Sequence, residues 1–350
     1  MGPTALQTQD GALGASVGEY RGATTALRFD DLEAELEALH VACAVYDLGY
    51  RAKLSVTGSD RVRWLNGMVT NNVRDLTPGR GVYAFLLNPQ GHILGDLYAY
   101  NRGESIVVDT DQSQAEKMLA TFDHYIIMDD VEVTNVGDHM TALGISGPNA
   151  RQVMQACGME LPQTEPLHMF DATCGGAQCA CVRGDSPANE SYELWLDPEG
   201  ARKAWDALLA NGAKPVGSEA LEVFRIQSGI PRYGVDIRER DLPQETEQAR
   251  ALNFNKGCYI GQEIVERIRS RGAVHRKFTG FVWMSGDEVA TGAKVKLADK
   301  EIGEITSARL IGKGHSGLAL GYIRREAAVP GKEVLLGGTP ARVAELPFKL

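Results

Sequence analysis

The C-terminal part of the chain, from Phe278 onward, sets the strictest limit on the fold. Short runs of strand-forming residues recur there, separated by glycines, and they occupy residues 279–284, 294–297, 303–307, 318–323 and 333–336. Short strands at regular spacing with glycine turns are typical of a small all-β barrel or sandwich. We therefore predict a C-terminal β-barrel over residues 277–350, with a domain boundary near Arg276.

The preceding part of the chain alternates strand and helix patterns. Residues 51–57 alternate as a strand, Gly58 begins a turn, and an apolar helix pattern follows; the same order recurs around Gly147. This predicts an α+β fold with two related, ferredoxin-like units, at 29–139 and 140–276, although such turns also arise independently. Residues 1–28 are rich in Gly, Ala and Thr, and we expect a flexible N-terminus there.

Composition and charge limit the partners. The chain has 36 basic and 46 acidic residues, a net charge of −10, which argues against general nucleic-acid binding. No apolar run approaches the roughly 20 residues that span a bilayer, and residues 1–21 lack the basic start and apolar centre of a secretion signal. We expect a cytoplasmic protein that has no membrane partner.

Six cysteines are present, and Cys174, Cys179 and Cys181 lie close together in sequence. A metal site would need a fourth ligand at suitable spacing, and none follows, whereas Cys179 and Cys181 suit one face of a strand. We predict reduced thiols and no metal site.

Two acidic residues interrupt strand-like apolar runs. Asp96 follows a short turn at residues 89–92 that joins two strands into a hairpin, and Glu193 lies within the run 192–196. Asp96 either faces outward on an alternating strand or points into a cavity. The helix that follows Asp197 has a clear apolar face, and we assign its Trp205 to the core.

The segment from Lys256 to Glu263 has the highest density of reactive groups. Its two glycines, Gly257 and Gly261, permit positive φ angles or close backbone approach before a predicted helix. Cys258 would lie near that helix N-terminus and two residues from Lys256, which favours a thiolate able to bind metal or exchange with disulfides. The alternative is that Cys258 is a small buried apolar residue.

A group of cations follows this segment. Five basic residues could hold an anionic tail or phosphates, or could form a solvated face that pairs with Glu263 and Glu266. The group consists of Arg267, Arg269, Arg271, Arg276 and Lys277, with His275 among them.

The segment Lys256-Gly257-Cys258-Tyr259-Ile260-Gly261-Gln262-Glu263 resembles the motif of YgfZ-type folate-binding proteins. These are relatives of the glycine-cleavage T-protein in the GcvT-like aminomethyltransferase superfamily, and residues 224–231, 234–237 and 243–245 are similar to them as well. The resemblance covers the chain from about Asp30 to the end. It implies two α+β units and a β-barrel around a central channel that holds tetrahydrofolate or a one-carbon derivative.

The resemblance also implies site residues. Asp96, Glu193, Tyr83 and Arg225 would contact folate, and Cys258 would be the working thiol, supported by the rest of its motif. Because a pterin edge offers adjacent N–H donors, a carboxylate can accept them in pairs. In agreement with this chemistry, the resemblance implies that Glu193 holds the pterin and that Asp96 faces the folate as a catalytic acid.

Two departures from the T-protein pattern affect the predicted activity. Leu221 stands where T-proteins carry an Arg, and Gly49-Tyr50-Arg51 replaces their Ser-His-Met. The resemblance implies a tetrahydrofolate-binding protein that supports iron–sulfur cluster assembly or repair through Cys258, with iron–sulfur client or assembly proteins as partners. The alternatives are a folate-dependent aminomethyl or one-carbon transferase that uses Asp96 as acid or base, and a binding module without catalysis.

Overall fold

The computed structural model describes residues 2–272, 274–311 and 316–349, and it has a mixed α+β architecture. Contacts divide the chain into two compact units. The first comprises Met1–Ala84 and Leu97–Glu222, and the second comprises Phe85–Asp96 and Val223–Leu350. The domain boundaries predicted at residues 139 and 276 differ from this division into two units, and they stay a prediction.

The first unit contains two sheets, a separate hairpin and most of the helices. The hairpin formed by Gly81–Leu87 and Ile93–Asn101 begins and ends in the first unit, but its outer part, Phe85–Asp96, belongs to the second. The helix Ser218–Gln227 begins in the first unit and continues in the second from Val223. The helices are α1 (Gln7–Ala12), α2 (Leu32–Val41), α3 (Arg61–Met68), α4 (Gln112–Tyr125), α5 (Ala150–Ala156), α6 (Pro198–Ala210) and α7 (Ser218–Gln227). The strands are β1 (Ser16–Tyr20), β2 (Ala23–Arg28), β3 (Ala44–Asp47), β4 (Arg51–Thr57), β5 (Gly81–Leu87), β6 (Ile93–Asn101), β7 (Ile106–Asp111), β8 (Glu132–Asn135), β9 (Thr141–Ser146), β10 (Met169–Cys174), β11 (Ala177–Arg183), β12 (Ser191–Leu196) and β13 (Lys214–Pro215).

The order of strands brings distant segments side by side. The five-stranded sheet runs β5-β6-β7-β4-β8, and the six-stranded sheet runs β10-β11-β12-β9-β3-β13. One face of the six-stranded sheet packs on α6 through Trp205, as predicted, and its buried cysteines join the same core. A second core, which includes Tyr100 and Trp195, contains residues of both sheets.

Both predicted strand–glycine–helix turns are present. Gly58 has a φ of 95° and a side chain there would meet the Asp130 carbonyl; Gly147 has a φ of 119° and lies against the Ala42 carbonyl. Positive φ angles at close backbone contacts explain why glycine occupies both positions.

The N-terminal segment differs from the prediction. Residues expected to be flexible form α1 and an antiparallel hairpin of β1 and β2. Ala23 and Ala26 are buried and help to fix the hairpin. Their small side chains give only a weak apolar signal in the sequence, so this burial was not expected. Leu6 is buried as well and packs in the core of the six-stranded sheet. The structure therefore has regular elements in the segment that was expected to be flexible.

The second unit contains the predicted barrel. Six strands close in the order β14-β17-β16-β15-β18-β19 around a core that includes Phe281 and Trp283. The prediction missed the last strand, and β16 is longer than predicted because a bulge near Ile305 and Ser307 lets it turn a corner of the barrel. The elements are α8 (Gln262–Arg271), β14 (Arg276–Trp283), β15 (Lys294–Leu297), β16 (Lys300–Ile311), β17 (Ser316–Arg324), β18 (Glu333–Leu336), β19 (Thr339–Ala344) and short 3-10 helices at Pro243–Thr246, Ala249–Ala251 and Arg325–Ala327.

Within the described ranges, every helix is too short or too polar to cross a membrane.

Candidate functional site

Glu193 is the central residue of a polar site inside the first unit. It lies on β12 opposite Gly144 of β9 and Val182 of β11, and its side chain is half-buried. Trp195, two residues later on the same face, donates a hydrogen bond from Nε1 to the Glu193 carboxylate at 2.9 Å. Within the described part of the chain, this is the one hydrogen bond that the Glu193 carboxylate accepts. A carboxylate can accept about four, so Glu193 retains acceptor capacity for a ligand.

Aromatic rings continue from Glu193 along the five-stranded sheet. The Trp195 ring packs edge-on against Tyr100 at 5.1 Å between centroids. Tyr100 stacks with Tyr98 at 6.3 Å, and Tyr98 contacts Tyr83 at 4.9 Å. The structure therefore brings two of the predicted folate residues, Glu193 and Tyr83, into one connected aromatic and acidic surface.

A buried ion-pair network adjoins this surface. Asp109 accepts from Lys53 Nζ at 2.7 Å and from two nitrogens of Arg51 at 2.5 and 3.2 Å. Arg51 also donates to Asp111 at 2.8 Å, and Arg21 pairs with the same carboxylate at 3.2 Å. This network was not predicted, although Asp109 lies within the apolar strand β7 and Asp111 ends it.

Charge and burial shift the pKa values of Glu193 and Asp109 in opposite directions. Burial raises the pKa of Glu193, the charge of Asp109 raises it further, and Lys53 and Arg51 lower it, leaving the pKa above its ordinary value. Burial alone would raise the pKa of Asp109, but Arg51 and Lys53 hold it below its ordinary value. Asp109 is therefore an anion, and the charge state of Glu193 depends on its neighbours.

The cysteine motif lies in the second unit. Cys258 is exposed, in an irregular segment four residues before α8, whereas the other five cysteines are buried. This is the exposed thiol that the functional interpretation requires, not the buried alternative. Lys256 is buried, and its ammonium lies over the Tyr259 ring at 5.0 Å from the centroid.

The two glycines of the motif have different roles. Gly261 caps α8 with a φ of 80°, and a Cβ there would lie 2.6 Å from the Asn88 carbonyl oxygen at the hairpin tip. A Cβ at Gly257 would have no atom of the described residues within 4 Å. In the rest of the motif, Gln262 opens α8 half-buried and Glu263 is exposed.

Asp96 and Arg225 also lie in the second unit. Asp96 is half-buried on β6, so it is neither fully outward nor fully enclosed, and it lies close to Tyr233. Burial, Glu239 and then Asp96 raise the pKa of that phenol, which donates to the Leu94 carbonyl. Arg225 pairs with buried Asp236 at 2.7 Å and donates to Ser307 at 2.8 Å. These contacts favour a structural role for Arg225, and its predicted contact with folate stays a prediction.

Most of the predicted cation group is engaged in ion pairs. Arg276 pairs with Asp241 and Glu245, and Lys277 pairs with Glu247. The Arg269 side chain pairs with Glu266 and stacks on Phe254. The side chain of Arg271 lies outside the described residues. The Arg269–Glu266 pair matches the predicted solvated face, whereas Arg276 and Lys277 pair with acids outside it, and an anion site at this group stays a prediction.

The sequence and the fold were compared with known proteins. The aminomethyltransferase of Rubrobacter xylanophilus is 27% identical over 349 residues, covering 99% of this chain and 93% of its own length. That of Alkaliphilus oremlandii is 28% identical over 306 residues, covering 84% and 82%. The crystal structure of glycine cleavage system aminomethyltransferase T from Bartonella henselae has the same fold, with a TM-score of 0.88, 20% identity and coverage of 99% and 97%. A family model described as the GCVT N-terminal domain matches residues 6–256, which is more than half of the chain. The chain therefore belongs to the GCVT N-terminal domain family.

Proposed function

We propose that this chain binds tetrahydrofolate and transfers a one-carbon unit, of the aminomethyl type, to or from it. The observation that carries the proposal is the Glu193 carboxylate, which is half-buried and has one hydrogen bond from the described residues. A buried carboxylate with spare acceptor capacity selects a ligand that supplies N–H donors, because leaving those lone pairs unpaired costs binding energy. The similarity to aminomethyltransferases supports the same ligand class.

The residues around Glu193 suit a flat heteroaromatic ring. A pterin edge carries adjacent N–H donors that a carboxylate accepts in pairs. Trp195 and Tyr100 provide ring faces and edges beside the carboxylate, and Tyr83 extends the aromatic wall. When bound, tetrahydrofolate supplies the ring nitrogen that accepts or releases the one-carbon unit.

Asp96 is the residue that we propose as the acid or base of the transfer. It lies half-buried in the middle of β6, where an acid is disfavoured unless it has a partner, and it lies close to the Tyr233 phenol. A positioned carboxylate of this kind moves a proton to or from the reacting nitrogen and contributes about 10²- to 10⁴-fold to the rate.

The transfer is tested by measuring methylene-tetrahydrofolate formed from an aminomethylated lipoyl donor. We expect turnover by the wild type and a loss of at least about 100-fold in Asp96→Asn. Asp171→Asn is the matched control, because Asp171 is another acid within a strand but is exposed. The absence of turnover in a folded wild type that binds tetrahydrofolate would refute the transferase proposal and leave folate binding intact.

A second candidate function rests on the exposed thiol of Cys258. An accessible cysteine in a YgfZ-like motif supports a role in iron–sulfur cluster assembly or repair, in which client or assembly proteins reach this thiol. Deleting the gene should then lower iron–sulfur enzyme activity, and the wild type but not Cys258→Ala should restore it. Equal rescue by Cys258→Ala would exclude this role of the thiol.

A further inference from the structure

Lys53 is a buried cation that adjoins the Glu193 site. Its side chain is 0% exposed, and its ammonium lies 2.7 Å from Asp109 Oδ1. The same ammonium lies 4.7 Å from the centroid of the Trp195 ring, whose Nε1 donates to Glu193. Burying an ammonium is costly unless it is paired, and an apolar residue would fill this core position at lower cost. The position of Lys53 therefore indicates a task beyond packing.

The charges of the network indicate what that task is. Among the described residues, the three cations Arg21, Arg51 and Lys53 form ion pairs with two carboxylates, Asp109 and Asp111. Glu193 is the next acid beside them, and its ionised form completes the balance of three positive and three negative charges.

The titratable groups that act on Glu193 come from several strands of the first unit. They are Tyr46 on β3, Arg51 and Lys53 on β4, Tyr100 on β6 and Asp109 on β7. Burial, followed by the charge of Glu193, raises the pKa of both phenols, so these tyrosines stay neutral. Burial and the charge of Asp109 therefore favour the neutral form of Glu193, and the charges of Lys53 and Arg51 oppose them.

We propose that Lys53, held in place by Asp109, is a positioning residue that keeps Glu193 ionised inside its buried site. An ionised Glu193 has two oxygens that accept hydrogen bonds, so it can receive a pair of adjacent N–H donors from a neutral ring. A protonated Glu193 would present an O–H donor to the same edge and lose one of those bonds. The identity of the ring as a pterin rests on the proposed function, whereas the control of Glu193 ionisation does not.

The ionisation of Glu193 can be measured without any ligand. Trp195 donates directly to Glu193, so the indole emission should change when the carboxylate is protonated. The Glu193→Gln variant provides the baseline, because its emission retains the contributions of the other three tryptophans and lacks this titration. The difference between the two pH titrations, made on the full chain, gives the midpoint for Glu193.

The inference predicts opposite shifts in two variants. Lys53→Met should raise the Glu193 midpoint by about one pH unit or more, because a cation whose charge favours the ionised carboxylate is lost. Asp109→Asn should lower it, because an adjacent anion is lost. The double variant Lys53→Met/Asp109→Asn removes one charge of each sign and should return the midpoint toward the wild-type value. Equal midpoints in the wild type and Lys53→Met would overturn the inference.

Two further comparisons keep the test decisive. If Lys53→Met does not fold, the Glu193 midpoints of the double variant and of Asp109→Asn are compared. The midpoint should be higher in the double variant, which lacks Lys53, and equal midpoints in these two variants would overturn the inference. In tetrahydrofolate titrations, Lys53→Met should bind at least about tenfold more weakly at pH 7 and recover affinity at higher pH; a loss that is independent of pH would indicate a purely structural role. Failure of the wild type to bind tetrahydrofolate would refute the proposed function and leave the emission result intact.

Discussion

Replacing Arg225 distinguishes a structural role from a ligand-binding one. The Arg225–Asp236 pair is buried, with side chains 7% and 0% exposed, and Asp236 also accepts from the Arg232 backbone at 3.0 Å and from Ser307 at 2.8 Å. Arg225→Met would leave the Asp236 carboxylate inside the second unit without its cation. Removing one partner of a buried pair costs about 3–5 kcal/mol.

Hydrogen exchange measures this loss where it should occur. The slowest amides of the barrel strands β14 and β17 should exchange about 150- to 5,000-fold faster in Arg225→Met, since each 1.4 kcal/mol is a factor of ten. Arg240→Met is the matched control, because Arg240 is 59% exposed and pairs with Glu304 near the surface. Unchanged exchange in Arg225→Met, together with weaker binding of tetrahydrofolate, would refute the structural role and restore the predicted contact with folate.

Three other predictions concern positions outside the Glu193 site. In the native protein one thiol per chain should react rapidly with a thiol reagent, and Cys258→Ser should remove that reaction. Unfolding in urea should make the five buried thiols reactive as well. Rapid labelling of several thiols in the native protein would contradict the burial of the other five. Gly261→Ala should lower the free energy of unfolding by about 1–3 kcal/mol, because residue 261 has a positive φ and the added methyl group would clash with Asn88. Gly257→Ala, the control, should leave the free energy of unfolding unchanged. Equal losses in the two variants, measured by urea unfolding, would contradict this contrast. Burial and then Asp47 raise the pKa of Asp10 to about 7, so the folded state holds a proton that the unfolded chain releases above the ordinary pKa of 3.8. The stability should therefore fall by up to about 4 kcal/mol as pH rises from 4 to 7, and Asp10→Asn should lack this component; identical pH profiles would count against it.

The barrel could be predicted because its signal is local. Glycines and short alternating runs near one another in sequence specify turns and strands, and the predicted runs 294–297 and 333–336 coincide with β15 and β18. The N-terminal hairpin could not be predicted in this way, because alanines such as Ala23 carry little strand signal and are buried by tertiary packing.

The candidate site was predictable only in part. Glu193 stood out as an acid within an apolar strand, and Cys258 stood out through its motif. Lys53 and Asp109 meet across paired strands although 56 residues separate them, so their contact depends on sheet order and register. Arg225 was predicted to contact folate because it lies in a segment that resembles the family. That resemblance gave no indication of its contacts with Asp236 and Ser307.

The central claim is that Glu193 binds the pterin ring of tetrahydrofolate in the first unit. Calorimetric titration with tetrahydrofolate of the wild type and Glu193→Gln, at one pH near neutrality, tests it most directly. We expect saturable binding by the wild type and affinity weaker by about 10- to 150-fold in Glu193→Gln, the loss typical of a hydrogen bond to a charged group. Equal affinity in the two proteins, or no binding by a folded wild type, would contradict the claim.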